Sequence, residues 1–146
     1  MGAEPQKHKS LSVLDNLVAT ILSQNTTDKN SWPAFLRLKE AFPTWDAVRT
    51  APVADVAAAI KSAGLSAVKS ARIQAILETL HRERGECSLE HLRTMSDDKV
   101  KAALKHLGKG IGPKTIACVL MFALHRHEFP VDTHVVRCRR TYMRRR

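Results

Sequence analysis

The sequence predicts an all-α fold, and three observations support that reading. No segment alternates apolar and polar residues with period two over a useful length, which argues against strands. Apolar residues recur instead at intervals of three and four, as at Leu11, Leu14, Leu17-Val18 and Ile21-Leu22. Helix starts and stops then punctuate the chain, with proline at 52 and 113 and glycine at 64 and 85. A length of 146 residues, 44% hydrophobic and 26% charged, suits one soluble domain able to bury a core of its own.

In order, residues 1–9 read as a polar lead-in, and Ser10 is placed to cap the first helix. The polar run from Ser23 to Asp28 interrupts that helix. A second amphipathic helix then carries Trp32, Phe35, Leu36 and Leu38 and ends near Phe42-Pro43. Thr44 caps a short helix, and Pro52, at a first-turn position, opens another that closes at Gly64. From about Ser66 to Arg84 a longer helix turns Val68, Ile73, Ile76, Leu77 and Leu80 inward and stops at Gly85. Ser88 and Ser96 are each placed to cap one more. The helix from Pro113 to about Leu124 is apolar on nearly every side after its first turn, which marks it as the central buried element. A basic helix follows from Thr133. There is no internal repeat.

Lys and Arg number 24 against 14 Asp and Glu, a net charge of +10, so a polyanionic partner is expected. Nucleic acid comes first and a membrane surface second. Beyond Asp132 the excess is concentrated in Arg137, Arg139, Arg140, Arg144, Arg145 and Arg146, with no acid among them. Cys87, Cys118 and Cys138 are too few and too far apart for a disulfide framework or a Cys-x-x-Cys metal site, so reduced thiols in an intracellular protein are expected. His125 and His127 lack the cysteine or carboxylate partners of a metal site, and no metal is expected. The first ten residues hold no apolar signal core, and the longest apolar run, Ile116 to Leu124, is too short to span a bilayer.

The chemistry is concentrated in Leu107-Gly108-Lys109-Gly110-Ile111-Gly112-Pro113-Lys114-Thr115, between two helical patterns. Gly110 and Gly112 allow backbone conformations a β-carbon would obstruct, and they leave amide N–H groups open to a phosphate. Pro113 suits a first helical position, so the positive end of that helix faces the same anion. Lys114 falls in the first turn, where the helix dipole opposes a positive charge, a setting that suits an amine acting as nucleophile. A carboxylate, Asp132, returns 18 residues later, within reach of a helix and loop folding back. Taken alone, the stretch also fits a plain helical turn with a surface lysine.

Gly110-Ile111-Gly112-Pro113-Lys114-Thr115 followed by Val131-Asp132-Thr133-His134 resembles the helix-hairpin-helix and Gly/Pro…Asp signature of endonuclease III-like DNA glycosylases. The resemblance extends to Leu22-Ser23-Gln24-Asn25-Thr26-Thr27-Asp28 and to Ile60-Lys61-Ser62-Ala63-Gly64-Leu65, and so covers roughly residues 11–140. It implies a helical glycosylase domain over 10–130 with its hairpin at 107–114, followed at 131–146 by the start of a second helical half-domain and an Arg-rich tail.

By that resemblance Lys114 is the nucleophile that attacks the sugar's anomeric carbon, which marks a glycosylase that is also an abasic-site lyase. Asp132 is the carboxylate that assists it, although an aspartate before Thr133 is also a natural helix cap. Asn25, with Gln24 as the alternative, fills the gap left by a flipped base. The competing reading is that Ser23 to Asp28 simply caps the next helix. Leu65 wedges into the opposite strand, or makes the hydrophobic contact common after a glycine helix stop. Gly110, Ile111, Gly112 and Thr115 form the phosphate-binding hairpin, and Lys69 and Arg72 are phosphate contacts or part of a solvated basic face.

The resemblance implies a base-excision repair enzyme, a monomer acting on damaged or mismatched bases in double-stranded DNA, nuclear in a eukaryote. The sequence departs from the family in stopping 14 residues after Asp132. It lacks the cysteines of the family's iron–sulfur loop, so no cluster is expected, and the second half-domain reads as truncated. A non-catalytic helix-hairpin-helix DNA-binding module is the alternative function.

Overall fold

The computed structural model describes residues 11–108 and 111–125, and every regular element among them is helical. Helix α1 spans Val13–Ser23. Its cap is Ser12 rather than Ser10, which lies outside the described residues. Ser12 Oγ accepts from the Asp15 amide, and Asp15 returns a bond to the Ser12 amide, so two otherwise orphaned N–H groups are satisfied together.

Helix α2, Asp28–Ala41, packs along α1. Thr44 caps the short α3, Trp45–Thr50, as expected. Helix α4, Val53–Ala59, ends four residues earlier than the glycine predicts. A tighter 3₁₀ turn, Lys61–Ala63, carries the chain to Gly64. Helix α5, Ser66–Arg84, closes at Gly85 in the left-handed conformation. Ser88 precedes a 3₁₀ turn, Glu90–Thr94, and Ser96 caps α6, Asp97–His106. The last described helix, α7, spans Pro113–Cys118 and runs into a wider π turn, Val119–Ala123.

The core is continuous from α1 to the π turn. Thr115 to Leu120 and Ala123 are buried, which agrees with a central last helix. Yet α1 is just as central, burying nine of its eleven residues and packing against α2, α5, α7 and the π turn. Helix α5 departs from expectation in its register. Its buried stripe is Lys69, Ser70, Ile73, Ile76, Leu77 and Leu80, whereas Val68 is 45% exposed. The stripe has helical spacing, but a lysine occupies the position that the apolar pattern assigns to valine.

Candidate nucleic-acid interface

Three chain reversals meet at one end of the domain. The first follows α1, the second links the 3₁₀ turn to α5, and the third enters α7. The four last carbonyls of a helix have no partner within it. At the end of α1 each finds one: Ser23 Oγ donates to Thr20, the Gln24 amide to Ile21, Lys69 Nζ to Leu22 at 2.9 Å, and the Thr26 amide to Ser23. The reversal at 24–26 is thereby fixed, and Asn25 sits at its tip, exposed and left-handed at φ 60°. Asparagine tolerates that conformation better than most side chains.

Gln24 is engaged differently. Its Nε2 donates to Thr115 Oγ1 at 3.0 Å, tying the first reversal to the opening turn of α7. Thr115 is buried and Ile111 belongs to the core, so both side chains face inward. Among its described residues, what the hairpin offers outward is Gly108, Gly112, Pro113 and Lys114. Gly112 has ordinary angles, φ −100° and ψ −174°, so no conformational need for glycine exists there. That need falls on Gly108, at φ 135°. The value of Gly112 lies in space, since a β-carbon built on it meets nothing within 4 Å. Lys114, at the second position of α7, is exposed rather than enclosed. Gly110 and Asp132 lie outside the described residues.

At the second reversal Gly64, φ 77° and ψ 158°, occupies a region essentially restricted to glycine. Leu65 follows in the left-handed region, φ 50° and ψ 39°, unusual for a bulky residue, and is 56% exposed. Its side chain is therefore not the buried hydrophobic contact of a glycine helix stop. Two turns on, Arg72 is half-buried on α5. Lys69 corrects the expectation of a phosphate contact. It is 2% exposed, and its ammonium donates to the Leu22 carbonyl and, at 3.0 Å, to that of Ala63. Burial pushes its pKa down. Neither this brace nor the Gln24–Thr115 tie was legible in the residue types. The helical spacing of 69, 73, 76 and 80 was the one available signal.

The assembled face carries an asparagine and a leucine on fixed reversals beside an open helix start with an exposed lysine. Such a face can meet a phosphate backbone and insert side chains between bases. Among the described residues no group of His, Cys, Asp or Glu is arranged to hold a metal, and no helix is long and apolar enough to cross a membrane.

Residues 18–144 match the family model described as HhH-GPD superfamily base excision DNA repair protein. The Arabidopsis thaliana protein named as DNA glycosylase At3g47830 is 52% identical over 124 residues, 85% of this chain and 42% of that protein. Endonuclease III of Sulfolobus acidocaldarius is 34% identical over 131 residues, covering 88% of this chain and 56% of the relative. The DNA glycosylase/AP lyase ROS1 of Arabidopsis thaliana is 42% identical over 93 residues, 64% of this chain and 7% of that much longer protein. Among solved structures, H. pylori 3-methyladenine DNA glycosylase (MagIII), bound there to 1,N6-ethenoadenine, aligns with a TM-score of 0.66 at 18% identity. That alignment covers 85% of this chain and 58% of the other, and the likeness is one of fold.

Proposed function

Since this chain belongs to the HhH-GPD superfamily of base-excision DNA repair proteins, we propose that it is a DNA glycosylase with abasic-site lyase activity, acting on a damaged or mismatched base in double-stranded DNA. The observation that carries the proposal is the Gln24–Thr115 bond. It places the reversal bearing Asn25 against the turn that presents Lys114, so a residue suited to a vacated base position and an amine suited to the exposed sugar share one face.

In this reading the duplex backbone lies along the start of α7, where the open space at Gly112 admits a phosphate oxygen to the helix amides. Extrusion of the target nucleotide is required because the glycosidic bond is unreachable in the stack. Asn25 enters the gap from one side and Leu65 from the other. Lys114 Nζ attacks the anomeric carbon; the C–N bond to the base breaks and the base leaves with the bonding pair. The aminosugar opens to an imine, loss of a proton from C2′ expels the 3′ phosphate, and hydrolysis of the imine returns the lysine. Asp132 is assigned the role of the supporting carboxylate by its place in the family signature.

Borohydride trapping on a duplex carrying an abasic site tests this directly. A covalent adduct that forms with the unaltered chain and disappears in Lys114→Gln is expected. Duplex binding without any adduct would instead assign the chain as a DNA-binding module of the same fold.

A further inference from the structure

Among the described residues Lys69 is the one large cationic side chain buried to 2% exposure, and it forms no ion pair with an acid there. Its two bonds join carbonyls 41 residues apart in sequence, that of Leu22 at the end of α1 and that of Ala63 at the end of the 3₁₀ turn. A cation is electrostatically suited to a helix C-terminus, where carbonyl dipoles converge. Volume alone does not call for one, since a methionine on the α5 stripe would fill the same space, but it would leave both carbonyls without a donor.

The two bonded carbonyls locate the difference. Leu22 is three residues before Asn25 and Ala63 two residues before Leu65. Both of those residues are exposed and held in left-handed backbone. A neighbouring bond, Ser62 Oγ to the Asn30 carbonyl at 3.1 Å, ties the 3₁₀ turn to α2. That bond is exposed, whereas the lysine bonds are sealed from water, so the lysine is the stiffer link.

We propose that Lys69 is a positioning residue for lesion recognition, bridging the Leu22 and Ala63 carbonyls so that Asn25 and Leu65 project toward the duplex at one fixed separation. The inference rests on the glycosylase reading above. It assigns Lys69 no contact with DNA. Undamaged duplex, which meets the backbone-binding hairpin without opening, is insensitive to that separation. A duplex with a vacated base position requires both side chains to enter together, and small misplacements there are costly.

The test compares affinities for an abasic-site duplex and an undamaged duplex, with 2-aminopurine beside the abasic site as a reporter of unstacking. Lys69→Met is expected to hold its affinity for undamaged duplex within about twofold, because phosphate contacts are untouched. Its preference for the abasic duplex is expected to fall by about tenfold or more, with the 2-aminopurine signal reduced. Ile76→Val, on the same buried stripe, controls for core destabilisation and keeps the preference. If Lys69→Met folds and retains the full preference, the positioning role is wrong and the glycosylase reading stands. If the unaltered chain shows no preference, both fall together. Should Lys69→Met fail to fold, Lys69→Arg carries the comparison: its longer, planar cation cannot hold the same separation, so a folded Lys69→Arg protein with diminished preference supports the proposal, and one with full preference overturns it.

Discussion

Leu65 combines two features that folding alone disfavours: a branched apolar side chain in the left-handed region, and exposure of more than half its surface. Residues held in such backbone cost about 1–3 kcal/mol and persist where a site requires them. Glycine would adopt φ 50° freely, although it adds entropy to the unfolded chain. Leu65→Gly is therefore expected to leave stability unchanged or raise it by up to about 1 kcal/mol, measured by urea denaturation. The same substitution is expected to weaken binding to an abasic-site duplex by about tenfold, burial of a leucine side chain being worth about 1.5–3 kcal/mol. A variant both less stable and fully competent in binding would show that Leu65 serves the fold.

Between elements, the carboxylate of Glu90 connects the middle of the chain to both buried helices. It accepts from the Val13 amide at 2.8 Å, at the first position of α1, and pairs with Arg93, whose Nη1 donates to the Ala123 carbonyl at the end of the π turn. Burial pushes the Glu90 pKa up, but the bonds from Arg93 and Val13 and the charge of Arg93 outweigh it, so the value lies below the ordinary 4.5. A carboxylate with a depressed folded pKa contributes stability above its unfolded value, and that contribution is lost as pH falls through the folded one. Glu90→Gln is expected to be destabilised at pH 7 by less than about 1 kcal/mol, because the pair is partly exposed and screened. The gap between variant and unaltered protein should close below pH 4.5, as thermal denaturation across that range will register. A constant gap would assign the effect to packing.

The elements also show where residue types inform and where they mislead. Helix positions followed from apolar spacing and from Thr44, Gly85, Ser96 and Pro113, because capping and helix-stop chemistry is local. The start of α1 was displaced by two residues, since Ser10 and Ser12 are equally good caps and only the reciprocal bond with Asp15 separates them. On α5 the error was larger. Apolar pattern placed Val68 inside and left Lys69 to the surface, and the structure reverses them because two backbone carbonyls distant in sequence satisfy the amine. The inward packing of the Ile111 and Thr115 side chains, against the core and Gln24, was likewise not legible. Tertiary partners of this kind leave no local signature.

For the molecule as a whole, a net charge of +10 and an open hairpin predict binding dominated by phosphate contacts. Each neutralised phosphate contributes about −0.9 to the slope of log affinity against log salt, so a footprint of about four phosphates gives a slope near −4. Titrations of undamaged duplex between low and physiological salt measure it, and a slope near zero would remove the electrostatic account. The bonds from Lys69, Gln24 and Ser62 bear on how such a protein searches. A face braced at three junctions has little capacity to mould itself to a duplex, so the DNA must supply the deformation. Pyrimidine–purine steps, mismatches and damaged pairs are the most pliable places in a duplex. For a protein acting as proposed, the first sorting of sites is then mechanical: the stiffness of the helix being read decides where it opens, before any pocket inspects the base.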